Sequence, residues 1–507
     1  MERELFEHYL GDRSRHGPVL DGAFTGAAGG AACGDLSRVS LVLDDGRILD
    51  ASFDAEGCGA TRAATAAAVD LVCGEAAIDA ARVGVDEVDA AIGGLTPAKR
   101  HAAQLAADAL HRALAAAAAS ETRLASAGGS DSAPDRVLVA MSGGVDSAVA
   151  ALLEMERGAE VIAVTLKLWA DPATDGAKAC CSPEAVVGAR ALAHSLGIPH
   201  FTLDLEEEFR RRVVGEFISG YAAGSTPNPC ILCNGEVRIA AMIDLAERLG
   251  AGRLVTGHYA RIVDDGAGPL LAAADDAAKD QSYMLAALPP ALLDRLRFPL
   301  AALTKPQVRE IAVRHGLDVA RKPESQDLCF LAGQGKREFL RRHGGLRDRD
   351  GAIVDRAGRT LGRHRGHHHF TVGQRRGLGL GSPQPLYVLG TDAKANTVTV
   401  GSREELETAV VRLRDAVLHR DGKRVDAVRL RYHSVAVPAA VGAAGTGRHS
   451  ELEVLLGEAF VGASPGQAAV LLAGETIVGH GTIVDALPTP RPVVGRASDG
   501  QRLSRSD

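Results

Sequence analysis

Hydrophobic and polar positions change their period along this chain, and the changes mark its parts. Residues 1–120 open on a mixed stretch and close on a long Ala-rich run that predicts a helix over about 97–118. A small, polar, breaker-rich stretch from Ala125 to Pro134 follows, so 121–134 reads as a linker. A continuous apolar strand over 137–141 then runs through a glycine turn into a helix over 148–157. A strand over 160–166, a helix over 183–196 and a short strand over 200–203 continue the alternation. That order predicts an α/β fold over 135–335, a doubly wound parallel sheet with right-handed crossovers. Past about residue 345 the runs become short and alternating, at 385–389, 397–400, 425–431 and 468–472, separated by Gly and Asp. They predict small β-rich domains over 336–407 and 408–487, the second a β-barrel. Residues 488–507, rich in Pro, Arg and Ser, read as a disordered tail, and no internal repeat is present.

Length and composition bound the class. A chain of 507 residues exceeds one ordinary core and implies three or four domains. Apolar residues make up 46% and charged residues 24%, as in soluble globular protein. No apolar run reaches the roughly 18 residues that span a bilayer, and Met1-Glu2-Arg3-Glu4 is not the start of a signal peptide. The expected location is the cytoplasm, with no membrane partner. Eight cysteines in a reducing compartment point away from a structural disulfide set and toward metal, cluster or catalytic roles. The net charge of −7 excludes a globally basic nucleic-acid binder, but Lys336 to Arg376 carries twelve Lys/Arg against four Asp/Glu. That segment is the expected place for phosphate-backbone contacts, or else a solvated face.

The glycine turn carries the first chemistry. It reads Ala140-Met141-Ser142-Gly143-Gly144-Val145-Asp146-Ser147. Adjacent glycines let the backbone approach an anion, and a helix N-terminus offers free N–H groups and the positive end of a dipole. Asp146 is expected to cap the helix or hold Mg2+. No Gly-Lys-Ser/Thr ending follows, so this is not a Walker loop. The octapeptide resembles the ATP-pyrophosphatase (PP-loop) family, whose fold is that of the adenine-nucleotide alpha hydrolases. That resemblance implies ATP binding, transfer of AMP to a substrate oxygen and release of pyrophosphate.

Further segments narrow the resemblance. They are Thr226-Pro227-Asn228-Pro229-Cys230-Ile231-Leu232-Cys233-Asn234, Thr256-Gly257-His258-Tyr259-Ala260-Arg261, Lys279-Asp280-Gln281-Ser282-Tyr283, Lys322-Pro323-Glu324-Ser325-Gln326-Asp327-Leu328-Cys329-Phe330 and Ser464-Pro465-Gly466-Gln467. In this order, from about Arg136 to Leu487, they resemble the tRNA-specific 2-thiouridylase family. The resemblance implies ATP-dependent 2-thiolation of the wobble uridine of Lys-, Glu- and Gln-type tRNAs, that is, a tRNA-uridine 2-sulfurtransferase. It implies that Cys329 carries a persulfide and that Cys233 is the partner thiol, able to close a disulfide with it. It implies ATP contacts from Ala140 to Ser147, from Leu166 through its backbone, and from Gly257. Asn228, Pro229 and Cys230 should lie by the target base. His258, Lys279, Asp280, Gln281, Arg431, Tyr432 and Gln467 should touch tRNA, with Lys279 also a candidate phosphate clamp. A cysteine desulfurase or sulfur carrier should supply the sulfur.

Cys230 stands where many relatives have Asp, so Cys230, Cys233 and Cys329 could together hold a [4Fe–4S] cluster with one open iron. Persulfide and cluster-bound sulfide are thus two open routes for sulfur. Cys180-Cys181 reads as structural or minor. Upstream, Ala32-Cys33-Gly34-Asp35, Gly57-Cys58-Gly59 and Lys99-Arg100-His101 resemble the NifU/IscU-like iron–sulfur scaffold over residues 1–120, an α+β domain. The resemblance implies zinc or a nascent Fe–S cluster on Cys33, Asp35, Cys58 and His101. Ala102 stands where that family has its third cysteine, and Cys73 lies elsewhere, so a docking role is open too. Two other activities compete: a sulfur-trafficking or cluster-scaffold protein with a degenerate thiolase module, and another PP-loop adenylating enzyme acting on a small metabolite.

Overall fold

The computed structural model describes residues 2–30, 34–121, 123–125, 135–169, 171, 182–323, 328–331 and 333–488. Cys33, Cys180, Cys181 and the expected tail beyond Pro488 lie outside the described residues.

The N-terminal part is an antiparallel meander of β1 (Phe24–Gly29), β2 (Leu36–Asp44) and β3 (Arg47–Glu56). Asp45 and Gly46 both have positive φ, the two-residue hairpin turn whose twist suits the flanking strands. The helices Gly59–Val72 and His101–Ser120 cover the sheet. Alanine explains how closely: a Cβ on Gly26 of β1 would fall 2.1 Å from the carbonyl oxygen of Ala109, so helix backbone rests directly on strand. The expected helix over 97–118 begins only at His101, because Pro97 to Arg100 form turns ahead of it.

The middle part is a five-stranded, all-parallel sheet made of β4 (Arg136–Ala140), β5 (Glu160–Lys167), β6 (His200–Asp204), β7 (Arg253–Thr256) and β10 (Leu296–Arg297). Their order is β10-β7-β4-β5-β6. Val137, Leu138 and Val139 of β4 are wholly buried, as a strand covered on both faces must be. The chain leaves β4 toward β5 and β6, then returns to the other side of β4 as β7. The switch point therefore lies between the carboxyl ends of β4 and β7, where open α/β sheets bind ligands.

Between β7 and β10 run β8 (Arg261–Asp264) and β9 (Pro269–Ala272). They do not join the parallel sheet. Ala272 pairs with Thr476 instead, adding both strands to an eight-stranded sheet whose other members begin at Glu407. That sheet closes on itself through Glu407–Leu418 against Thr476–Pro488, and its barrel core includes Leu413, Val454, Leu471 and Leu270 of β9. The expected C-terminal barrel thus borrows two strands from the 135–335 segment. A separate four-stranded sheet, over Gly351–Val354, Thr360–His364, Tyr387–Asp392 and Thr397–Gly401, lies between.

The N-terminal part packs against the β6 edge. Arg190 of the helix Pro183–Ser195 pairs with Asp108, and Arg82 donates to the Gly197 carbonyl. Leu124, at the start of the expected linker, is fully buried, and its N–H donates to the Arg248 carbonyl. Across the molecule Trp169, just beyond β5, packs edge-on to His343 at 5.1 Å and beside Phe339 at 5.8 Å, both on the helix Lys336–Gly344.

Candidate active site

The nucleotide loop sits at the carboxyl end of β4, at the switch point. Gly144 is the cap residue of the helix Val145–Glu156, and Gly143 has φ +66°. The Ser147 hydroxyl ties the loop, accepting the Ser142 N–H at 3.2 Å and donating to the Gly144 carbonyl at 3.1 Å. Gly257, past the end of β7, presses on it: a Cβ there would lie 2.8 Å from the Ser147 nitrogen. Only glycine permits this approach of Gly257, expected to contact ATP, to the loop. Leu166 is buried near the end of β5.

Asp146 is neither the cap nor an open metal ligand. The cap is Gly144, and both Asp146 oxygens accept from Lys305 Nζ at 2.7 Å, with the Tyr259 hydroxyl 2.9 Å from one of them. A cation at Asp146 would have to displace the buried Lys305 ammonium. Lys322 Nζ donates to the Gly143 carbonyl at 3.0 Å. Two lysines and a tyrosine thus surround a loop suited to an anion. Sequence reading chose Lys279 and missed them. One signal existed: Lys305 is in the first turn of the helix Lys305–Arg314, where the dipole disfavours a cation unless an anion is at hand. Lys279 is nearby, its N–H on the Asp276 carbonyl, while the Lys305 N–H donates to the Asp276 carboxylate.

The segment expected at the target base begins a helix. The Asn228 side chain accepts the N–H groups of Cys230 and Ile231, and Pro229 takes the first helical position. Cys233, buried, opens the π-helical turn Cys233–Arg238, a local irregularity common at functional sites. Cys230 and Cys233 lie one turn apart, Cys230 half-buried. The barrel reaches this segment: Thr226 is held by its N–H to the Pro465 carbonyl and by Gln467 Nε2 on its own carbonyl at 2.7 Å. Tyr283 and Tyr432 lie tilted to one another with ring centres 5.9 Å apart, and burial, with Asp280 adding to it, raises the Tyr432 pKa. Cys329 is half-buried. Its neighbour Phe330 packs on Phe209 and Phe217, which flank the turn Arg210–Val214 that touches the Cys233 turn.

Residues expected to touch tRNA make internal bonds in this structure. Asp280 accepts from Ser282 and from Arg429 at 2.9 Å. Gln281 accepts the Tyr259 N–H, and Arg431 donates to the Gly462 carbonyl. His258 shares a 2.7 Å bond with Thr256, and burial, with Arg238 adding to it, pulls its pKa down to about 3.

In the N-terminal part Asp35, Cys58 and His101 converge. Asp35 accepts the Cys58 N–H at 3.1 Å and the Thr61 hydroxyl at 2.6 Å, and those bonds hold its carboxyl below the usual range. His101 Nε2 is 3.9 Å from Asp35, with Nδ1 on the Ala98 carbonyl. Cys58 meets Asp35 through its backbone N–H, and Cys33, the fourth expected ligand, lies outside the described residues. Among the described residues no three His, Cys, Asp or Glu gather in a metal-holding group, Cys230, Cys233 and Cys329 included. No helix there is long and apolar enough to cross a membrane.

Fold and site together define a class: a PP-loop α/β domain with β-barrel domains behind it and a scaffold-type domain in front. The family described as tRNA methyl transferase HUP domain matches residues 135–333, with its PRC-barrel domain at 337–402 and the aminomethyltransferase beta-barrel domain at 411–483. The NifU-like N terminal domain matches residues 2–123. A bifunctional protein NifU/MnmA of Rubrobacter xylanophilus is 45% identical over 489 residues, covering 94% of this chain and 97% of that one. The tRNA-specific 2-thiouridylase MnmA of Acidithiobacillus ferrooxidans is 43% identical over 69% of this chain and 99% of its own length. That of Geobacter metallireducens is 41% identical over 71% and 99%. The chain belongs to the bifunctional NifU/MnmA family.

Proposed function

We propose that this protein is an ATP-dependent tRNA-uridine 2-sulfurtransferase, acting in the cytoplasm on the wobble uridine. One observation carries the reading: a 45% identity that runs through 94% of the chain to a bifunctional NifU/MnmA protein. The site supports the chemistry. A carbonyl oxygen at C2 is a poor leaving group until it bears AMP. The loop amides from Ser142 to Ser147, with Lys305 and Lys322 beside them, suit the triphosphate and the departing pyrophosphate. Sulfur then attacks C2. In the persulfide route Cys329 delivers it, the bond from C2 to the AMP oxygen breaks, and Cys233 closes a disulfide with Cys329. A cysteine desulfurase or carrier recharges Cys329 after reduction. ATP enters with Mg2+, and the internal bonds of Asp280, Gln281 and Arg431 reopen when tRNA binds.

Cys230 and Cys233, one turn apart, could supply two ligands to a second route, sulfide carried on a [4Fe–4S] cluster, but Cys329 does not gather with them in this structure, so that route would need it to move in. The test is ATP-dependent 2-thiolation of tRNA uridine by anaerobically purified protein, with iron and acid-labile sulfide assayed alongside. The expected result is thiolation by wild type and none by Cys329→Ala or Cys233→Ala. Full activity in Cys329→Ala would overturn the assignment. Iron with sulfide lost in Cys230→Ala would select the cluster route, and iron-free active protein the persulfide route.

A further inference from the structure

His200 begins β6 and is wholly buried, and the N-terminal part seals it there. Its N–H donates to the Ala81 carbonyl at 3.0 Å. Its Nε2 lies 2.8 Å from the Thr165 hydroxyl, and that hydroxyl donates to the Met141 carbonyl at 2.8 Å. A hydroxyl has one proton. Since Thr165 spends it on Met141, His200 must supply the proton between them, so it is the neutral Nε2–H tautomer. Its Nδ1 has no hydrogen-bond partner among the described residues, as that tautomer permits. The Met141 carbonyl and the Ser142 N–H belong to one planar peptide. That N–H opens the nucleotide loop and rests on Ser147. A continuous line of bonds therefore joins Ala81 of the N-terminal part, through His200 and Thr165, to the first peptide of the loop. Two more imidazoles seal the same contact: His111 Nε2 on the Val83 carbonyl and His194 Nε2 on the Ala81 carbonyl.

We propose that the NifU-like domain is an effector of the nucleotide site, and that His200 and Thr165 are positioning residues through which its docking orients the Met141–Ser142 peptide. The inference rests on the reading that this loop binds ATP. A domain that helps ATP bind must itself be held more tightly when ATP is bound, by the same factor. The His200 amide, bonded across the contact, reports docking, and ATP affinity reports the loop.

The test uses the full chain. ATP affinity is measured by calorimetry, KM and kcat by tRNA thiolation, and exchange of the His200 amide by mass spectrometry with and without ATP. Thr165→Val keeps the shape and removes both bonds. We expect it to weaken ATP binding about tenfold, raise KM for ATP in step and leave kcat within about twofold, with Thr165→Ser restoring all three. In wild type, ATP should slow His200 exchange, and Thr165→Val should abolish that response. Asp108→Asn, altered only on the N-terminal side, should speed His200 exchange and weaken ATP binding together. Wild-type ATP affinity in Thr165→Val would overturn the proposal, as would His200 exchange indifferent to bound ATP. If Thr165→Val misfolds, Asp108→Asn and the wild-type exchange response decide, and wild-type ATP affinity in Asp108→Asn despite faster His200 exchange would overturn the proposal. Wild-type protein that bound no ATP would instead overturn the nucleotide reading beneath it.

Discussion

Lys305 is buried with its ammonium on both oxygens of Asp146, whose own side chain keeps a third of its surface in water. The two ends of this pair therefore answer differently to mutation. Lys305→Met takes away the cation and leaves a carboxylate that water can solvate, so stability should hold while ATP turnover falls by about 10²-fold. Asp146→Asn takes a carboxylate away from a buried ammonium and should cost about 1–3 kcal/mol of stability. Urea midpoints set beside thiolation rates check both, and equal stability losses would show that the pair is only structural. Little of this was legible beforehand. The octapeptide announces itself because its glycines and serines are contiguous. Lys305 lies 159 positions away, and no local pattern joins a lysine to an aspartate at that distance.

At the scale of elements, Gly257 shows how the sheet shapes the loop. It follows β7, the strand beside β4, and stands over the Asp146–Ser147 peptide with no room for a methyl group. Gly257→Ala should push the loop out of shape at about 1–3 kcal/mol. Nucleotide affinity should drop by about tenfold or more, with far-UV circular dichroism unchanged; a variant binding ATP normally would mean that the loop yields freely. The strands and helices from 136 to 204 were readable because each is a full-length periodic or continuous apolar run with its turn residues in place. Register and partner choice were not. β8 and β9 are four residues each, and nothing in Arg261–Asp264 or Pro269–Ala272 says that they join a barrel whose first strand starts at Glu407. The expected 97–118 helix erred at its start, since a proline at the first helical position and a proline in a preceding turn look alike in sequence.

At the scale of the whole molecule, the contact between the NifU-like and PP-loop domains should respond to pH. His111, His194 and His200 meet there with Arg190, its partner Asp108, and the carboxylates Glu87 and Asp86. Burial holds all three imidazoles below 6.5, and Arg190 adds to it. Docked, they stay neutral; released, they take up protons once the pH falls below 6.5. Protons bound only by the released form favour release, so docking should be constant above about pH 7.5 and weaken steadily as the pH falls below 6.5. Proteolytic nicking near residues 121–134 should be about tenfold faster at pH 5.5 than at pH 8, and a rate independent of pH would refute it.

The other joint carries its own reporter. Trp169 is the chain's single tryptophan, and it lies where the PP-loop domain meets the helix that opens the basic segment, edge-on to His343. All indole emission from this protein therefore comes from one place. A shift of that helix can thus be followed in real time by unlabelled fluorescence, without placing a dye near any cysteine.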